Sequence, residues 1–124
     1  MTRRRDMDFD DAMEAHSAWK ASLFAYIRNP DGSLTHSAVT DDTACDLGKW
    51  IYGDATTAYR RDMEFVELKV AHALFHLEAA KVLWKVNHGE ETSEEILVGS
   101  RSPYAIASDE VVGHILRMKE RFPG

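Results

Sequence analysis

The stretch FVELKVAHALFHLEAAKVLWKVN, residues 65–87, decides the fold. Phe65, Leu68, His72, Phe75, His76, Ala79, Leu83 and Val86 step by three and four, the period of one helix face. Arg60, Arg61, Glu64, Lys69 and Lys81 take outer positions, as on an amphipathic bundle helix. The pattern predicts one long helix from about Thr56 to Asn87, stopped at His88-Gly89. His72 and His76 lie one turn apart on its inner stripe. Histidines at i and i+4 have Cβ atoms ~5–6 Å apart, so both imidazoles can reach one ion.

Upstream, Phe9, Ala12, Met13, His16, Trp19, Leu23, Tyr26 and Ile27 follow the same period and predict a first helix with His16 on its apolar face. Asn29-Pro30-Asp31-Gly32-Ser33 ends it, and residues 29–41 read as a polar connection. Asp42 or Thr43 is expected to cap a short second helix running through Ile51 and closing near Gly53. Downstream, Glu94 to Val98 is briefly apolar and Ser100-Arg101-Ser102-Pro103 is loop-like. Ser108 or Asp109 is expected to cap a last helix carrying Val111, Val112, Ile115, Leu116 and Phe122. Nothing alternates with the period of a strand. The expected fold is all-α: a four-helix bundle whose short member carries Cys45, a single domain over residues 1–124 with its core motifs within 16–76.

The chain is long enough for one core and short of room for a separate output module. Its net charge of −6 is evenly spread, with eight Lys/Arg against eleven Asp/Glu in residues 1–62 and seven against ten in residues 63–124. Neither half has the basic surplus that nucleic-acid binding needs. The single cysteine rules out an intrachain disulfide. Arg3-Arg4-Arg5 runs into Asp6, Asp8, Asp10 and Asp11 rather than an apolar segment, unlike a signal peptide. No apolar run approaches the ~20 residues that span a bilayer. A cytoplasmic location, where the thiol stays reduced, is therefore expected.

His16, Cys45, His72 and His76 form a candidate metal set drawn from three predicted helices. Zn²⁺ takes imidazole nitrogen at ~2.0–2.1 Å and thiolate sulfur at ~2.3 Å, usually with four ligands in a tetrahedron. Taken singly, His16 fits a hydrogen-bonded core histidine and Cys45 a small buried hydrophobe. Together they strengthen the metal reading, because burying three imidazoles and a thiol without partners costs several kcal/mol, roughly, on the desolvation scale. His36, His88 and His114 lack that spacing and read as surface residues. Asp46 and Glu78 are candidates to orient an imidazole, with solvated surface charge as the simpler reading.

Cys45, Gly48, Trp50 and Gly53, with His16 and Trp19 before them and the His72/His76 pair after, resemble the chemoreceptor zinc-binding (CZB) domain family. The resemblance implies a four-helix bundle holding one Zn²⁺ through His16, Cys45, His72 and His76, with Gly48, Trp50 and Gly53 shaping the turn that presents the thiolate. It further implies a non-catalytic sensor in bacterial signalling, including chemotaxis, that reports zinc or oxidants. Cys45 would be the redox switch. The expected partners are a second copy of the chain, as a homodimer, and a chemoreceptor or diguanylate cyclase, with no nucleic acid or membrane. The sequence departs from the usual arrangement in containing neither a receptor coiled coil nor a cyclase module, so it is expected to be a stand-alone domain or a fragment.

Three other readings stand beside this one. A zinc hydrolase of the His-Glu-x-x-His kind requires a general-base glutamate where the chain has Ala73. A di-iron or haem bundle wants inward carboxylates and Glu-x-x-His motifs, whereas these helix faces offer histidines and a cysteine. A metal-free helical interaction module would treat all four residues as packing.

Overall fold

The computed structural model describes residues 8–89 and 93–122, and among these the chain is all-helical. The elements are α1 (Phe9–Arg28), α2 (His36–Thr40), α3 (Asp46–Tyr52), α4 (Asp54–Tyr59), α5 (Met63–Asn87), α6 (Glu94–Val98) and α7 (Pro103–Arg121). Arg3-Arg4-Arg5 and Asp6 lie outside the described residues.

Local chemistry sets most of the helix starts. Asp8 and Asp11 form a reciprocal capping box on α1, each carboxylate accepting the other's backbone N–H. Asp62 caps α5 by accepting the Phe65 N–H at 3.1 Å. This cap divides the single helix expected over 56–87. The chain turns at Arg60-Arg61, and Tyr59 at the end of α4 packs on Phe9, Phe65 and Phe122. An aspartate that can satisfy free N–H groups there competes with continuing the helix.

Three other expectations need correction. The connection over 29–41 contains α2, capped by Thr35, and its Val39 is buried in the core. The short helix is capped by Cys45 itself, whose sulfur accepts the Gly48 N–H at 3.2 Å, rather than by Asp42 or Thr43. The last helix starts six residues earlier than expected, with Ser102 as cap and Pro103 at its first position, where the missing N–H costs nothing.

α5 and α7 pack along their length, α1 lies against α3 and α7, and α2 packs on α5. Phe65, Leu68, Phe75, Leu83, Val111, Ile115 and Met118 fill the space between the long helices. The burial continues without a break into His16, His72 and His76, so the candidate ligands are part of the same core. His114, expected at the surface, is also buried. It bonds to Glu64, and Arg117 reaches the same carboxylate at 3.2 Å, tying α7 to α5.

Candidate metal centre

α5 presents His72 and His76 inward one turn apart, both about 1 % exposed. The N-terminus of α3 brings Cys45 to them. Cys45 Sγ lies 3.4 Å from His72 Nε2 and 3.5 Å from His76 Nε2, and the two Nε2 atoms are 3.2 Å apart. Ligands ~2.0–2.3 Å from one ion and spread tetrahedrally sit about 3.3–3.6 Å from each other. The three atoms therefore have nearly the spacing of one face of a zinc tetrahedron.

Hydrogen bonding sets one tautomer. His76 Nδ1 lies 2.8 Å from the Val39 carbonyl oxygen, which can only accept, so Nδ1 carries the proton and Nε2 offers its lone pair to the site. His72 Nδ1 is buried without a hydrogen-bond partner, its nearest carboxylate being Asp42 Oδ2 at 4.0 Å. An ion on His72 Nε2 would place the ring proton on Nδ1, on the side of the Asp42 carboxylate, whose charge favours it at 4.0 Å without a hydrogen bond. Asp42 is held in turn by the Tyr52 hydroxyl, which donates to Oδ2 at 2.7 Å.

Burial keeps the imidazoles neutral, the form that binds metal. It lowers His72 to about 4, with the His76 charge helping and Asp42 opposing. It lowers His76 as well, against the Val39 carbonyl and the charges of Asp42 and Asp41. Burial pushes the Cys45 thiol up, with Asp42 and Asp46 adding to the effect and the Gly48 N–H opposing it. A cation beside Cys45 would oppose that shift and favour the thiolate.

His16 is placed differently. Its ring is buried against Phe75 at 4.6 Å between centroids, and its Nε2 shares a 2.9 Å hydrogen bond with Ser108 Oγ on α7. It stands outside the group of ligand atoms lying within 4.8 Å of one another, which comprises Cys45, His72 and His76. Burial, followed by the charges of Lys20, His72 and His76, lowers its pKa to about 3, so it too is neutral.

The motif residues surround the cluster. Trp19 packs edge-on against His76 at 4.8 Å and against Phe75 at 5.4 Å. Trp50 is buried with its ring at 5.8 Å from Phe9. Gly48 permits a close approach: a Cβ there would lie 1.8 Å from the Asp42 carbonyl oxygen. Gly53 ends α3, where a Cβ would meet the Lys49 carbonyl at 2.7 Å.

Asp42, Val39 and Ser108 are the partners that sequence reasoning missed. Asp46 touches the site only through its charge on Cys45, and Glu78 pairs with Lys81 on the outside of α5. A second group, Glu64, Glu67 and His114, also has metal-like spacing. There Arg117 already neutralises Glu64, and the arrangement reads as an ion-pair network between α5 and α7.

Neither a curated protein nor a solved structure matches the chain. The family model described as "Chemoreceptor zinc-binding domain" matches residues 16–83, a span that begins at His16 and takes in Cys45, His72 and His76. Since that match covers more than half of the sequence, the chain belongs to the chemoreceptor zinc-binding domain family, whose members are zinc-binding sensory domains.

Proposed function

We propose that the chain is a regulatory, non-catalytic zinc sensor that holds one Zn²⁺ through His16, Cys45, His72 and His76. In this reading it is a single domain over residues 1–124, whose four-helix bundle is formed by α1, α5 and α7 with α3 as the short member. The supporting observation is the convergence of Cys45, His72 and His76 at tetrahedral spacing, with His76 already in the ligating tautomer. His16 completes the set by exchanging Ser108 for the ion.

When bound, Zn²⁺ supplies the positive charge that keeps the Cys45 sulfur as a thiolate. The remaining properties belong to the chain. Cys45 is both a ligand and the cap of α3, so a change at this sulfur also weakens the first turn of that helix. Hydrogen peroxide transferring one oxygen atom to the thiolate gives, with uptake of one proton from solvent, a sulfenic acid and water, and the larger sulfur group no longer fits between His72, His76 and the Gly48 N–H. α3 then loosens from Phe9 and α1, which is the movement the sensor reports. Four protein ligands leave no open position for a substrate, consistent with a non-catalytic role.

The setting that follows is bacterial and cytoplasmic, with the chain acting as a homodimer on a chemoreceptor or diguanylate cyclase in chemotaxis or related signalling. Among the described residues no helix is long and apolar enough to cross a membrane.

Elemental analysis of gently purified protein tests the site. The expected result is one zinc per chain, lost in Cys45→Ala and His76→Ala. A metal-free wild type would favour the plain interaction module instead. Amide hydrogen exchange in α3 then separates the two signals: chelator and peroxide each applied alone show which one moves that helix.

A further inference from the structure

α5 is apolar on both sides. Its inner face enters the core, yet Met63, Val70, Leu77 and Trp84 are 68, 56, 47 and 47 % exposed. These four are spaced by seven residues, and Val66 and Ala73 follow the first two at the +3 position. That is a heptad seam with Met63, Val70, Leu77 and Trp84 at the a positions and Val66 and Ala73 at d. A solvated helix face has no reason to keep this register, whereas a second helix packing by knobs into holes requires it. The seam borders a groove of about 380 Å³ between α5 and α7, lined by Val66, Val70, Ala71, Leu74, Ala107 and the edge residue His114 among others.

The flanking charges indicate the partner. In this frame Glu67, Leu74 and Lys81 occupy successive e positions. Antiparallel helices bring e positions opposite each other. Centred on Leu74, Glu67 of one copy meets Lys81 of the other, twice by symmetry. The same register sets Trp84 against Val66 and Leu77 against Ala73, large against small. Among the described residues Lys81 pairs with Glu78 at an exposed position, and Glu67 lies 3.8 Å from His114, so both remain able to reach across.

We infer that the outer face of α5 is the docking surface for a second copy of this chain, paired antiparallel about Leu74. This deepens the homodimer part of the proposed function and rests on it. The seam runs along the back of the helix whose front carries His72 and His76, so the ligand pair and the interface share one rigid element.

Sedimentation of the full chain, with zinc content and helical circular dichroism as controls for folding, tests the inference. Wild type is expected to be a dimer, and Leu77→Glu, at an exposed position, a folded monomer. Glu67→Lys and Lys81→Glu should each weaken the dimer about tenfold, and mixing the two variants should restore it, because the mixed pair regains both contacts. A monomeric wild type would overturn the homodimer reading and this inference together. A dimeric wild type whose Leu77→Glu variant stays dimeric would overturn the surface alone. If the charge variants weaken the dimer but mixing fails to restore it, the antiparallel pairing is wrong.

Discussion

His76 donates its Nδ1 proton to the Val39 carbonyl at 2.8 Å, and this bond joins the metal-facing helix to a five-residue helix that packs upon it. Its consequence is chemical as well as structural. With the proton held on Nδ1, the Nε2 lone pair points at Cys45 and His72 before any ion arrives. His72 has no such bond, and its Nδ1 faces Asp42 across 4.0 Å. One half of the pair is thus preset, while the other is set by the ion.

Asp42 is therefore expected to tune the site without ligating. Asp42→Asn keeps the size of the side chain and removes the negative charge 4.0 Å from His72 Nδ1. Zinc affinity should fall by about 10–100-fold while the stoichiometry stays at one per chain, as measured by competition with a chromophoric chelator. Tyr52→Phe removes only the hydroxyl that steadies Asp42 and should cost less. Equal affinity in Asp42→Asn and wild type would show that Asp42 has no such role.

Gly48 carries a steric prediction. A methyl group there would lie 1.8 Å from the Asp42 carbonyl oxygen and 2.9 Å from its carbon, backbone atoms of the very turn that presents Cys45. Gly48→Ala should destabilise the protein by about 3 kcal/mol and weaken zinc binding as the turn shifts. Gly113→Ala is the contrast, since its Cβ meets only the movable end of Arg117 at 3.3 Å. There the ordinary helical preference for alanine should win, stabilising by about 0.5–1 kcal/mol. Urea unfolding of the two variants checks both signs.

α1 and most of α5 were legible because their apolar periods persist over many turns; α1 begins at Phe9 as the spacing predicts, whereas the first turn and a half of α7 was missed. What escaped was short or capped in an unexpected way. α2 has five residues and a single buried apolar side chain, Val39, too little for a period to show. α5 begins just after Asp62 because the carboxylate there satisfies the Phe65 N–H, which in a continuing helix would have bonded to the Arg61 carbonyl. The ligand types could be read because a His pair and a lone cysteine on inner faces are costly unless partnered. Asp42, Val39 and Ser108 could not, since two act through contacts far apart in sequence and the third through a backbone carbonyl, for which side-chain identity carries no signal.

Ser108 holds His16 across 92 residues of chain by one buried hydrogen bond of 2.9 Å. Ser108→Ala leaves the imidazole nitrogen without that partner, so the chelator-treated protein should lose about 1–2 kcal/mol. A double-mutant cycle with His16→Ala isolates the bond, because the serine change should cost far less once the imidazole is gone. An unchanged cost in the His16→Ala background would place the effect of Ser108 elsewhere in α7.

Glu64 should make stability depend on acid. Its side chain is 14 % exposed, and its carboxyl is held below the usual range by the bond from His114 and then by Arg117. The folded state therefore takes up this proton less readily than the unfolded chain. The resulting stability is fully present above the unfolded carboxyl pKa of about 4.3 and disappears as pH falls through the lower folded value. Glu64→Gln should cost about 1 kcal/mol at pH 7 by removing the charge between α5 and α7. The difference from wild type should shrink as unfolding is measured at successively lower pH beneath that value. A gap that stays constant down to full protonation would mean that the Glu64 contribution is packing rather than charge.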